Sequence, residues 1–141
     1  MKVMNVHKRE LPGDGASVLD HLEGIWPTER WPMLTEHGLG FLHHELVTHE
    51  PGHRIVYRIT GPRGLSGWHG WELAGSTMRH TVEGSSSGLM LLVWPLIVQP
   101  IHDALHEDVL DRVESACGGA PAPHPYSRRV RLLRSVLRRL G

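Results

Sequence analysis

The 141-residue chain has one cysteine, Cys117, which excludes an intramolecular disulfide and leaves a reduced, inert thiol as the expectation. That points to the cytoplasm. Long hydrophobic runs are scarce too. The longest, Leu89 to Val98, is about half of the ~20 residues a membrane-spanning helix needs, and it contains Pro95. The N-terminus, MKVMNVHKREL, alternates polar and apolar residues and lacks the continuous apolar region of a signal peptide. No acidic residue follows Glu114. All fifteen acids lie from Glu10 to Glu114 beside nine Lys and Arg, which gives residues 1–117 a net −6, whereas the last six basic residues are arginines after position 127. One globular domain is expected over 1–117, then a Gly/Pro linker over 118–126, then a basic segment over 127–141.

Within the domain the alternation of Lys2 to Leu11 predicts a first strand, ended by Pro12 and Gly13. Asp14 is placed to cap a short helix carrying Val18, Leu19, Leu22 and Ile25. The next segment holds Trp26-Pro27 and Trp31-Pro32, readable as a loop pinned to the core or as the rim of a pocket. Four strands with clear turns follow. Their inner faces read Leu42, His44, Leu46; Ile55, Tyr57, Ile59; His69, Trp71, Leu73; and Met78, His80, Val82. Short connections make them an antiparallel meander. Ser87 to Gly118 then reads as one long helix, with a serine near its start able to cap it. It is apolar all round as far as Val98, and afterwards carries the stripe Ile101, Leu105, Val109, Val113 and Ala116. Pro95 and Pro100 predict a bend between them.

This order of elements, together with EPGHRIVYRITGP, GWHGWEL, TMRHTVEG and LLVWPLIVQPIHDALHEDVLDRVE, resembles the START-like (SRPBCC) superfamily, and within it the polyketide cyclase/dehydrase-like proteins. The resemblance covers residues 2–117. It implies an α+β helix-grip fold, a curved antiparallel sheet wrapped around a long C-terminal helix, with an apolar cavity between them. It implies no particular reaction, since carriers, sensors and enzymes share the fold. The chain is short for that fold, so the strands usual between the early helices and the meander are expected to be missing or irregular.

On this reading the cavity is lined by Leu42, His44, Leu46, Ile55, Tyr57, Ile59, His69, Trp71, Met78, His80, Val82, Leu92, Leu96, Ile101 and Leu105, and takes a hydrophobic or aromatic ligand, a lipid or a polyketide-like metabolite. His44, His69 and His80 are the candidates for a general acid or base in a cyclase, dehydratase or hydrolase, against the alternative that they are satisfied core residues. His102 and His106, four apart on the helix, share a face that suits either a metal clamp or a cavity edge. No third ligand is specified by spacing, so neither a metal nor another cofactor is expected. Asp108 reads as an ion-pair partner of Arg112 at the helix edge, or as a carboxylate in the cavity. The tail is amphipathic, with Leu133, Val136, Leu137 and Leu140 opposite its arginines. It suits docking on its own body, on another subunit or on an anionic membrane, the last making the chain a peripheral lipid-binding protein. The acidic body argues against nucleic acid.

Overall fold

The computed structural model describes residues 1–140; the side chain of Leu140, and with it that residue's expected place in the tail's apolar stripe, lies outside the described residues, as does Gly141. Strand β1 (Lys2–Glu10) leads to helix α1 (Gly15–Asp20), whose N-cap Asp14 accepts a hydrogen bond from the Ala16 amide at 3.0 Å, and a 3-10 turn over Leu22–Ile25 follows. Two very short strands, β2 (Leu34–Thr35) and β3 (Gly38–Leu39), come next. Then come β4 (Leu42–Glu50), β5 (Arg54–Gly61), β6 (Leu65–Ala74) and β7 (Thr77–Ser86). All neighbours are antiparallel, in the order β1-β7-β6-β5-β4-β3-β2. The strands between the early helices and the meander are thus present but only two residues long.

The sheet curves because β6 and β7 approach closely at paired glycines. Gly67 and Gly84 face each other, and a Cβ on Gly84 would lie 1.9 Å from the Ser66 carbonyl oxygen. Into the concave face runs the helical segment, as α2 (Met90–Val93), a π turn (Trp94–Val98) and α3 (Gln99–Ala116). The irregularity anticipated at the prolines is this π turn. Pro95 has no N–H to donate and would clash with the carbonyl four residues back in a regular helix. No side chain caps the start of α2; the Met90 amide donates instead to the Ser87 carbonyl at 3.1 Å.

Strand β1 turns a polar row toward α3. Arg9 pairs with Glu107 at 2.8 Å, Asp111 at 2.9 Å and Glu114 at 3.3 Å. Helix α4 (Arg128–Leu140) lays Val130, Leu133 and Leu137 against the core that contains Trp31 and Val113, while Val136 is exposed, one position off the predicted stripe. The Arg134 guanidinium sits over the rings of Tyr126 and Trp31 and donates to the Arg30 carbonyl at 2.6 Å. No helix among the described residues is long and apolar enough to cross a membrane.

Candidate functional site

Register assembles an aromatic and imidazole wall on the concave face. His7 on β1 pairs with His80 on β7, which pairs with Trp71 on β6, and His69 pairs with Tyr57 on β5. A bulge between His43 and His44 brings the His44 ring over Tyr57, with centroids 4.2 Å apart. His102 and His106 arrive from α3. The His80 and His106 rings stack at 3.7 Å, and His102 and His106 lie 3.9 Å apart.

Three of these imidazoles form a hydrogen-bonded chain whose protons are fixed from one end. The Glu36 carbonyl oxygen, which can only accept, lies 2.9 Å from His44 Nε2, so that nitrogen carries the proton. His44 Nδ1 must then accept from His69 Nε2 at 2.7 Å, and His69 Nδ1 from His80 Nε2 at 3.2 Å. His80 Nδ1 is left a bare lone pair, buried and with no partner among the described residues. By the same logic His106 Nδ1 donates to the His102 carbonyl at 2.7 Å, which leaves Nε2 as its lone pair.

Burial holds His69, His80 and His106 well below the ordinary histidine range and lowers His102 and His44, so the wall is neutral imidazole at physiological pH. His7 differs. Its ring nitrogens reach Asp103 and Glu107 at 3.0 Å each, and the bond to Asp103 above all raises its affinity for a proton. The Asp103 carboxylate is held low by hydrogen bonds from His7 and Asn5 and by the nearby His102, which together outweigh its desolvation. Burial pushes the Tyr57 phenol up to about 12. The unfolded phenol loses its proton near pH 10, so folding stability falls as pH rises from 10 to 12, by about 1.4 kcal/mol per unit. Urea unfolding of the wild type and of Tyr57→Phe checks this: the alkaline loss is smaller in the variant, which keeps only the part due to Tyr126, also raised by burial. Equal slopes would mean that the loss has another source.

Beside this wall lies a cavity of about 100 Å³. Of the residues assigned to it from the sequence, Leu42, His44, Tyr57 and Ile59 line it from β4 and β5, His69, Trp71 and Val82 from β6 and β7, and Leu105 from α3. Ile55, Met78, His80 and Ile101 are buried just behind the lining. Leu46, Leu92 and Leu96 are corrections, being 57%, 62% and 51% exposed. Beyond His44, whose amide donates to the His37 carbonyl, strand β4 has no outer strand among the described residues, so this edge is uncovered at Leu46. In the apolar stretch Met90, Trp94 and Val98 face inward, so Leu92 and Leu96 point out.

The sequence reading omitted Leu34 and Leu39, which close one side with Trp26, and Trp94, Val98 and Val109 along the helix, while His102 and His106, read as a metal clamp or a cavity edge, do line the cavity. For Trp26 the Trp-Pro spacing was the signal, and it is a rim residue. Trp31 is instead fully buried, with its indole N–H donated to Asp108 Oδ2 at 2.8 Å. Asp108 is therefore neither Arg112's partner nor part of the cavity wall. Arg112 pairs with Glu29, and Asp108 also accepts from the Tyr126 hydroxyl and lies 3.5 Å from Arg30.

No protein-family profile and no curated protein matches the chain. Solved structures do. The di-domain ARO/CYC StfQ from the steffimycin biosynthetic pathway matches 84% of the chain with a TM-score of 0.58 at 13% identity, and the chain spans about half of it, 51%. The chain has the helix-grip fold. A Thermobifida fusca protein solved in solution aligns over 86% of this helix-grip chain and 99% of its own, at 14% identity and a TM-score of 0.55. The major latex-like protein 151 of Panax ginseng aligns over 83% and 98%, at 9% identity and a TM-score of 0.55.

Proposed function

We propose that this helix-grip protein binds a small apolar or aromatic molecule between the concave sheet and α3. The observation that carries the reading is the cavity: apolar and aromatic on most sides, with the Tyr57, His44 and His69 polar groups gathered on one wall. Its size sets the ligand. A cavity of about 150 Å³ accepts benzene, so about 100 Å³ suits a single ring or the end of a chain. A lipid or polyketide-like metabolite enters by one end, with the remainder leaving past the exposed His43 at the β3–β4 corner. The matches to an ARO/CYC protein and a latex-like protein support a ligand-binding use of the fold.

Titration with indole, followed by backbone amide shifts, tests this. Saturable shifts at Tyr57, His69, Val82 and Leu105 are expected, with binding weakened at least about tenfold in Val98→Phe, which fills the space. Absence of saturable shifts in the wild type up to the solubility of indole overturns the proposal. The hydrogen-bonded imidazole chain favours a second reading, in which a cavity histidine acts as general acid or base. Turnover of a bound ligand, lost in His69→Ala with binding retained, separates enzyme from carrier. Membrane docking by the tail is the weaker reading, because the apolar face of α4 is already occupied by the body.

A further inference from the structure

The sequence supplies a pair of histidines on α3 and no third ligand; the fold supplies it from β7. One ring nitrogen from each of His80, His102 and His106 lies within 4.8 Å of one from each of the others. His80 is 0% and His106 8% exposed, so water does not freely solvate them. His80 Nδ1 and both nitrogens of His102 are buried without a hydrogen-bond partner among the described residues. Buried ring nitrogens left in that condition forfeit the bonds they make in water, and proteins seldom leave them so without a ligand to satisfy them.

We propose that His80, His102 and His106 bind one divalent first-row transition-metal ion of the zinc type, through three neutral imidazoles, with a fourth coordination position open to the cavity. The protonation pattern suits this. The chain running from the Glu36 carbonyl through His44 and His69 leaves the lone pair of His80 on Nδ1, and the His102 carbonyl leaves that of His106 on Nε2. A ligating histidine ordinarily donates its other N–H to a carbonyl, carboxylate or similar acceptor, which orients the ring and raises its basicity. His80 and His106 each have that outer partner already.

For His102 the outer partner is Asp103. The Asp103 carboxylate is 3.8 Å from His102 Nδ1, held by Asn5 at 2.9 Å and His7 at 3.0 Å, so ligation through Nε2 leaves Nδ1–H turned toward it. Ligand nitrogens in a tetrahedral zinc site lie roughly 3.3 Å apart. Closing the present cluster to that spacing takes about 1.5 Å, within the range of side-chain rotation on a strand and a helix that stay fixed. His102 and His106 also line the cavity, so a water or ligand oxygen there would complete the coordination. The inference does not depend on which apolar molecule the cavity holds.

The full-length protein, stripped with a chelator and dialysed, is titrated with Zn²⁺ and with Co²⁺. One ion per chain is expected, with the intense visible bands of four-coordinate Co²⁺. On adding Zn²⁺, the histidine ring ¹⁵N resonances of His80 Nδ1 and His106 Nε2 shift, which tests the assignment without any substitution. His80→Ala, His102→Ala and His106→Ala each weaken binding at least about 100-fold, while the double variant of the exposed His37 and His53 binds as the wild type does. A wild type with no stoichiometric site overturns the proposal. So does a folded triple variant of His80, His102 and His106 that binds as tightly as the wild type.

Discussion

Asp108→Ala lowers the free energy of unfolding by about 3–5 kcal/mol, because it removes a buried acceptor on which the buried Trp31 donor and the half-buried Tyr126 donor converge. Asp108 is 4% exposed, and the Trp31 indole N–H and the Tyr126 hydroxyl both end on its Oδ2. Hydrogen bonds to a charged acceptor contribute about 1.5–3 kcal/mol each, and Trp31 has no route to water as a substitute. Arg30, 56% exposed, adds little, since water screens its pairing at 3.5 Å. Asp108→Asn keeps an acceptor oxygen but loses the charge and presents an N–H₂ group to one of the donors, so it falls between the wild type and Asp108→Ala. The loss also reaches the tail. Tyr126 ends the linker, and its ring carries the Arg134 guanidinium, so α4 loosens with it. Urea unfolding gives the energy, and limited proteolysis between residues 118 and 128 reports the tail. A cost below about 1 kcal/mol with an unchanged cleavage rate would show that Trp31 and Tyr126 are held by packing alone.

How much of this was legible in the sequence follows from the range of each signal. Period-2 alternation puts His44, His69 and His80 on one face of a meander, because side-chain direction in a strand is local. The end of β3 beside His43 is not visible there, and it leaves Leu46 exposed on the face where His44 stacks over Tyr57. The stretch Leu89 to Val98 gives no inner face at all, because every position is apolar or Pro95; only packing selects Met90, Trp94 and Val98. The His102 and His106 pair is plain from spacing, but His80 joins it only through the β1–β7–β6 register and the placement of α3 across it. Asp108 is out of reach of any local pattern. Its partners stand 77 residues before it and 18 after it, and the nearer candidate, Arg112, is taken by Glu29.

Acidification from pH 7.5 to 5.5 destabilises the metal-free protein. His69, His80 and His106 are kept neutral by burial, well below the value they have in an unfolded chain. As pH falls through about 6.5 the unfolded state takes up a proton at each while the folded state does not, so stability is full above that pH and is lost below it. Each histidine that stays neutral in the folded state loses on the order of 1 kcal/mol between pH 7.5 and 5.5, so the three together remove a few kcal/mol, a large part of the 5–15 kcal/mol typical of a domain. His102 and His44, lowered less, add to the same slope. His7 runs the other way. Its raised affinity for a proton stabilises fully below 6.5 and fades as pH rises through its folded value, so it opposes the loss above pH 6.5 and adds little slope below it. Asp103 stays ionised throughout, since its own shift is downward from an already acidic value. Urea unfolding in chelator at pH 7.5, 6.5 and 5.5 measures the effect, and uptake of about three protons on unfolding is expected at the acid end. His80→Leu removes one of them and flattens the slope by about a third, whatever it costs in packing at neutral pH. A stability constant from pH 7.5 to 5.5 would mean that the histidine wall is open to water and protonates in place, and the neutral, lone-pair-bearing cluster on which the metal site rests would go with it.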